Sequence, residues 1–461
     1  MTDMSPAPRQ RLSMEVVEPL NMMAMSQLGE PDPAAISRSD LLSAVSFDRQ
    51  GQILSVGDRG GRVICFSLAE NASGQQEFEY LTEFQAHTKS FDVLSSSDIS
   101  ETVNCIEWIN YHQKMPQPAL LSSNSREIKL FKIVNKREIR SESVKKKMQK
   151  GRGIGMPRTK LLSESKEGKH FASFKTGSEQ HIHSLALSPD TENFICADEN
   201  RINLWNLERS GKNPVYNLID YNRKKVTEED EIITKAKFSQ QSTMFLYTTS
   251  KGHVRVCDFR ESSNFQHRAS LEFNVNDMKP NKRVTAFDSY LSNISDACFV
   301  PGQENLIVSR DYLNTCLWDM RLAQTNTTSA AHGMIVDSTC RAKPIYSAQV
   351  TDYMSTNLIQ LYDNDSLDDQ FFVDVSPDGK HIATGAYNKS GHVMDLNFTE
   401  NRQITCKFRQ ARDTPVGQLK LYGKNKKLIS SPMNMPPQSP TSLKVRTQPS
   451  IDKGPDLRKR V

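Results

Sequence analysis

The 461-residue sequence predicts an all-β fold assembled from one repeated sheet, and three observations predict it. The stretch from His181 to Leu207, HIHSLALSPDTENFICADENRINLWNL, carries three strand patterns divided by two turns. The same grammar recurs in five other places: an apolar strand, a turn of Pro, Gly or Asn, a strand of small residues, a polar turn, and a strand ending near Trp-Asp, Trp-Asn or Asp-Phe. Between the copies lie further strand-like runs that supply each unit with a fourth strand. Four strands at roughly forty-residue spacing is the pattern of WD-repeat β-propeller blades. A pair of β-sandwiches would not need the same unit six times.

Taken in order, residues 1–20 are rich in Pro and charge and are expected to be disordered. Asn21 to Leu28 (NMMAMSQL) is an isolated apolar run ahead of Pro31 and Pro33. It is the expected closing strand, since an N-terminal strand often completes the last blade of a closed propeller. An interfacial membrane helix would need flanking Lys or Arg, which this run lacks. The first unit spans Leu41 to Leu68, with Phe78 to Phe84 as its fourth strand, and the second spans Thr102 to Ile133. A basic insertion, 134–180, then breaks the rhythm with REIRSESVKKKMQKGRGIGMPRTK. It reads as a flexible hairpin between blades and outside the core; Gly151, Gly153 and Gly155 match neither GxGxxG nor GxxxxGK[ST]. The reference unit follows, with Val215 to Ile219 after it. Next come Ile232 to Arg260 with Ala269 to Phe273, Asn293 to Arg321 with Ile345 to Val350, and Gln370 to Asn397 with Ile404 to Phe408. The propeller is thus expected over 21–430, and the Pro/Ser-rich basic tail 431–461, with six prolines, is expected to be disordered.

Charge is unevenly placed. The chain totals +5, yet 136–179 holds thirteen Lys/Arg against five Asp/Glu and 420–461 holds ten against two, so the remainder is net −11. An acidic body is a poor platform for nucleic acid, which needs clustered positive charge on the folded face. Eight cysteines show no CxxC pair and mostly sit inside strand patterns, as free thiols of a reducing compartment would. With no apolar run of eighteen residues and no secretory leader pattern, the expectation is a soluble, membrane-free protein of the cytoplasm, with the nucleus as a further compartment. His181 and His183 lack a third ligand nearby, so neither metal nor cofactor is expected. No GxSxG, HExxH or Cys/His signature appears, which argues against an enzyme.

What remains is surface. Turns between second and third strands gather at one end of a propeller, where they bring together Asp58 with Arg59, Arg126 with Glu127, Asp198 with Glu199, Lys251 with His253, Arg310, Asp311 and Tyr312, and Tyr387 with Asn388. A loop leading into the sixth unit adds Tyr362, Asp363 and Asp365, with Asp368 and Asp369 behind them. Together with Glu228 to Glu231 they predict an acidic groove for basic peptide segments, anchored by Tyr312 or Tyr362.

Several blade motifs resemble one family closely. GDRGGRV at 57–63, ADENRINLW at 197–205, TSKGHVRVCDFR at 249–260, SRDYLNTCLWDM at 309–320, LYDND at 361–365 and TGAYNKSGHVMD at 384–395 are similar to the successive blade motifs of the 55-kilodalton, B-type regulatory subunits of protein phosphatase 2A. The resemblance implies a seven-bladed propeller, without catalytic residues of its own, that joins a helical-repeat scaffold (A) subunit and a metal-dependent Ser/Thr phosphatase (C) subunit and selects basic phosphoprotein substrates. It also implies that the hairpin after the second unit grips the scaffold, which makes Arg137, Arg140, Lys145, Lys146, Lys147, Arg158 and Lys160 its candidate contacts. Two departures stand out. Val416 to Ser430 offers at most one basic hairpin where the family has a three-stranded last blade, so an incomplete seventh blade is expected. In the groove, Glu228 to Glu231 replaces an apolar residue, and Asp368 and Gln370 replace an aromatic residue and a lysine. The alternative is a general WD-repeat interaction scaffold that engages no phosphatase.

Overall fold

Each of the six repeated units forms a four-stranded antiparallel sheet, and the sheets are successive blades of a propeller. The computed structural model describes residues 36–405 except 71–73, 75, 94–95, 110–116, 143–157, 178–179, 210, 212, 222–230, 241–242, 261–268, 279–289, 323–342, 365–368, 388–389 and 400. The expected closing strand Asn21 to Leu28, the hairpin Val416 to Ser430 and the two flanking segments 1–20 and 431–461 all lie outside the described residues.

Consecutive strands pair, so each blade runs from inner to outer strand in chain order. Blade 1 comprises Leu42–Phe47, Ile53–Asp58, Arg62–Glu70 and Gln76–Gln85, and blade 2 comprises Cys105–Ile109, Ala119–Ser123, Glu127–Glu142 and Arg158–Lys175. Blade 3 is Ile182–Leu187, Asn193–Asp198, Arg201–Asn206 and Tyr216–Asp220; blade 4 is Ile233–Phe238, Met244–Thr249, His253–Asp258 and Leu271–Asn274. Blade 5 is Ile294–Val300, Gln303–Asp311, Asn314–Asp319 and Tyr346–Gln349; blade 6 is Val373–Val375, His381–Ala386, Ser390–Asp395 and Asn401–Thr405. Antiparallel order puts the turns between second and third strands, and the connections between blades, at one end of the propeller. The turns between third and fourth strands lie at the other.

Both faces of a blade are apolar because each must pack on a neighbour. The core is accordingly divided into one cluster per interface. Trp108 and Phe131 lie between blades 1 and 2, Phe174, Phe194 and Trp205 between 2 and 3, and Ile195, Phe238 and Tyr247 between 3 and 4. Phe273 and Trp318 lie between 4 and 5, and Leu317, Met354 and Phe371 between 5 and 6. Among the described residues no such cluster joins blade 6 to blade 1. The first strand of blade 1 is correspondingly only half-buried, whereas that of blade 5 is buried throughout.

Polar clasps reinforce these interfaces. In blades 1, 4 and 5 a bulge follows the first residue of the first strand, and the bulged residue is Ser43, Thr234 or Ser295. Each hydroxyl reaches a carbonyl of the next blade: Val103 at 2.7 Å, Ile294 at 2.5 Å and Phe371 at 2.5 Å. Asn104 of blade 2 donates to the Ile182 carbonyl at 3.2 Å and Ser184 of blade 3 to that of Ala236 at 2.7 Å. The matching stretch of blade 6, Gln370 to Val375, contains no hydroxyl.

The structure corrects the expectation that 134–180 lies between blades and outside the core. The insertion is the extended third and fourth strands of blade 2 itself, paired from Lys175↔Glu127 to Arg158↔Glu142. Its C-terminal part carries Ala172 and Phe174, both buried in the cluster between blades 2 and 3. Alternation of Phe174 and Ala172 with exposed residues is the strand signal that the charge of the segment obscured. A second difference concerns Leu361 to Asp363, expected in a loop. They close the second of two short helices, α1 (Asp352–Thr356) and α2 (Leu358–Asp363), between blades 5 and 6. Leu361 and Met354 turn into the core and hold the pair down.

Candidate functional site

At the end of the propeller that carries the second-to-third turns, residue type predicts exposure poorly. Asp58 ends the second strand of blade 1; one carboxylate oxygen accepts from the Arg62 N–H and the other from Arg62 Nε, each at 2.8 Å. Asp198 accepts from the N–H groups of Asn200 (2.9 Å) and Arg201 (2.7 Å), and Asp311 from those of Leu313 (2.8 Å) and Asn314 (2.5 Å). All three are buried. They close their turns by satisfying backbone donors, as short carboxylates do in Asx turns, and Asn124 does the same in blade 2. The expectation of open rim groups is therefore corrected: all three carboxylates are buried, with one oxygen of each held by backbone N–H groups.

Arg310 and Tyr312 are corrected for a related reason. Arg310 is wholly buried, with Nε donating to Thr384 Oγ1 at 3.2 Å and one terminal nitrogen to the carbonyls of Asp311 (2.5 Å) and Asn314 (3.2 Å). Its guanidinium lies 5.4 Å from the centre of the Phe371 ring, and burial pulls its pKa down to about 10, so it stays charged at neutral pH. Tyr312 is buried beside it and its hydroxyl lies 3.1 Å from that of Tyr387, which donates to Asp369 at 2.8 Å. The group ties blade 5 to blade 6.

Other expected residues do reach the surface. Arg59 is partly exposed, and Asp363 and Asp369 are exposed. Glu199 keeps about a quarter of its side chain exposed, 3.7 Å from His183, whose pKa burial lowers and Glu199 partly restores. Tyr362 is more than half exposed. Asp365 and Glu228 to Asp230 lie outside the described residues. Glu231 is half-buried and engaged: Arg255 contacts it at 2.9 Å and Glu272 at 2.9 Å, while Glu272 also pairs with His253 at 2.6 Å. Hydrogen bonding and charge from His253 and Arg255 outweigh burial and hold the Glu272 carboxyl at about 2.

Apolar exposure at this end is the feature that sequence reasoning missed. Seven of the twelve exposed large apolar side chains among the described residues sit in connections between blades, among them Phe91 and Val93 in or beside the small hairpin Ser90–Asp92/Ser97–Ile99, Tyr353 on α1, and Ile359 and Tyr362 on α2. Ile359 is 78% exposed beside a buried Leu361, an alternation that a helical reading of 352–363 would have found. The exposed carboxylates Asp363 and Asp369 thus share this end of the propeller with exposed apolar side chains.

The insertion leaves from the opposite end. Beyond Lys166↔Asn135 its two strands pair with each other as far as Arg158↔Glu142, with Arg137 Nε 3.1 Å from Glu164 and Lys136 Nζ 3.4 Å from Glu167. Arg140, Arg158 and Lys160 lie on these strands, and Lys145, Lys146 and Lys147 lie outside the described residues. Among the described residues no group of three or more His, Cys, Asp or Glu is placed to hold a metal ion. The described cysteines are free thiols, and no described helix is long and apolar enough to cross a membrane.

Residues 168–206 match the family model for the WD domain, G-beta repeat. That span covers the last part of the outer strand of blade 2 and three strands of blade 3. Over 402 residues the chain is 30% identical to the gamma isoforms of the 55 kDa regulatory B subunit of serine/threonine-protein phosphatase 2A from Oryctolagus cuniculus and Homo sapiens, covering 84% of this chain and 83% of theirs. The Mus musculus isoform matches to the same extent. Among solved structures, Chaetomium thermophilum Raptor aligns over 78% of this chain and 24% of its own at 12% identity, with a TM-score of 0.46. Identity sustained across more than four-fifths of both chains, on a WD-repeat propeller, means that this chain belongs to the family of 55 kDa regulatory B subunits of serine/threonine-protein phosphatase 2A.

Proposed function

We propose that the chain is a non-catalytic regulatory subunit of a protein phosphatase 2A-type holoenzyme, binding the scaffold subunit through its blade 2 arm and recruiting phosphoprotein substrates at the opposite end. Family membership is the observation that carries this reading. The separation of the two surfaces supports it, because an arm at one end leaves the other free for substrate. In this reading Arg137, Arg140, Arg158 and Lys160 serve scaffold contact. Glu199, Asp363 and Tyr362, with Ile359, serve substrates whose recognition segments are basic and apolar. The carboxylates steer approach, while the apolar residues supply most of the affinity, since an exposed ion pair contributes only about 0–1 kcal/mol.

The test is reconstitution. Purified full-length chain is mixed with scaffold and catalytic subunits and resolved by size exclusion, and turnover of basic and acidic phosphopeptides is compared with and without it. A ternary complex that favours basic phosphopeptides is expected. Replacing 137–164 by Asn-Gly, which keeps the Lys136↔Ser165 pair as a hairpin end, should abolish assembly. A folded chain that never co-elutes with either partner would instead make it a WD-repeat scaffold outside the phosphatase.

A further inference from the structure

The arm of blade 2 leaves the propeller past the outer strand of blade 1. Its strands are bulged at Leu162 and Phe171, so the stretch between the bulges can take a direction of its own. Within that stretch the fourth strand lies against the outer strand of blade 1. Thr82, buried, donates its hydroxyl to the Lys166 carbonyl at 2.8 Å. Two residues on, Gly168 rests on the Phe84 ring so closely that a Cβ there would fall 2.1 Å from the nearest ring carbon. Phe84 has little room to yield: its ring centroid is 4.6 Å from that of Phe131, which is buried in the interface between blades 1 and 2. A glycine inside a strand weakens it and is found where another group must come close.

From these contacts we infer that Gly168 is a positioning residue: seated on Phe84 and tied by Thr82, it sets the angle at which the arm leaves the propeller. The inference rests on the reading of the arm as the scaffold-binding element. Beyond the root the arm pairs over about seven residues, roughly 23 Å at about 3.3 Å per residue, so a tilt of about 15° at Gly168 displaces its far end by about 6 Å. That exceeds the range of any direct polar contact. A side chain at 168 must therefore either push Phe84 from Phe131 or swing the arm.

Affinity for the isolated scaffold subunit is measured by calorimetry for the full-length chain and four variants: Gly168→Ala, Gly168→Ala/Phe84→Ala, Thr82→Val, and the chain with 137–164 replaced by Asn-Gly. Gly168→Ala should bind at least tenfold more weakly with its melting temperature nearly unchanged. The double variant, which makes room for the new methyl, should recover most of the loss, and Thr82→Val should bind about threefold more weakly. If the shortened arm abolishes binding while Gly168→Ala and Thr82→Val bind as the parent does, the positioning role is wrong. If the shortened arm binds normally, the scaffold reading beneath it fails instead. Should Gly168→Ala fail to fold, Thr82→Val, which adds no volume, decides the matter alone.

Discussion

Asp198 and Glu199 are neighbours of like charge with opposite fates, one folded into its turn and the other left at the surface. Removing the first leaves two part-buried N–H groups without their acceptor, so Asp198→Ala should cost about 1–2 kcal/mol in denaturant unfolding. Glu199→Lys should leave that curve within about 0.5 kcal/mol of the parent and act on substrate instead. His87 gives a second test at this scale. It is buried against Ser122 at 3.1 Å, and burial, with Lys129 nearby, drops its pKa to about 3. Its folded pKa lies below the ordinary 6.5, so between those values the unfolded chain binds the extra proton. Stability carried by the neutral ring is therefore complete above about pH 6.5 and drains away as pH falls toward 3. His87→Gln should flatten the stability loss between pH 7 and pH 5, read from unfolding midpoints; a parallel pair of curves would mean the ring protonates without cost. Single residues were the least legible part of the sequence. The turn carboxylates carry the same letter as rim carboxylates, and only the two backbone N–H groups that follow them, spaced as an Asx turn requires, tell the two apart.

Elements were more legible because periodicity survives where residue identity misleads. The third and fourth strands of blade 2 alternate correctly through Ile128, Leu130, Ala172 and Phe174, yet the density of Lys and Arg between them suggested an excursion with no part in the core. For α1 and α2 the obstacle was length: two helices of five and six residues show hardly more than one turn each, too little for a 3.6-residue period to stand out. Their exposed side makes a prediction. In reconstituted holoenzyme, Ile359→Ser/Tyr362→Ser should raise KM for basic phosphopeptides several-fold at every salt concentration. Glu199→Lys/Asp363→Lys should raise it at low salt and converge on the parent as salt screens exposed charges within about 8 Å. The same salt dependence for both pairs would mean that apolar contact plays no separate part.

At the scale of the molecule the repeat was read almost completely. All six units became blades, and four of the five fourth strands proposed between units fell within two residues of their observed starts; the last, expected from Ile404, begins at Asn401. What one blade does for the next was not legible, since it depends on contacts between units and leaves no period in the chain. The half-buried first strand of blade 1 carries a prediction of this kind. Amides of Leu42–Phe47 should exchange with solvent faster than those of Ile294–Val300, which are enclosed on both faces. Equal protection would mean that blade 1 is covered in solution. The polar clasps carry a consequence in time. Each donor belongs to the earlier blade and each acceptor to the later one, so during synthesis every clasp stays open until the next blade is made. The growing chain is then always least settled at its newest blade, and a ribosome that pauses after blade 3 leaves the Ser184 hydroxyl waiting at an apolar face. Blade 6, with Phe371 and Phe372 where its predecessors offer a donor, holds no such hydroxyl at the matching position.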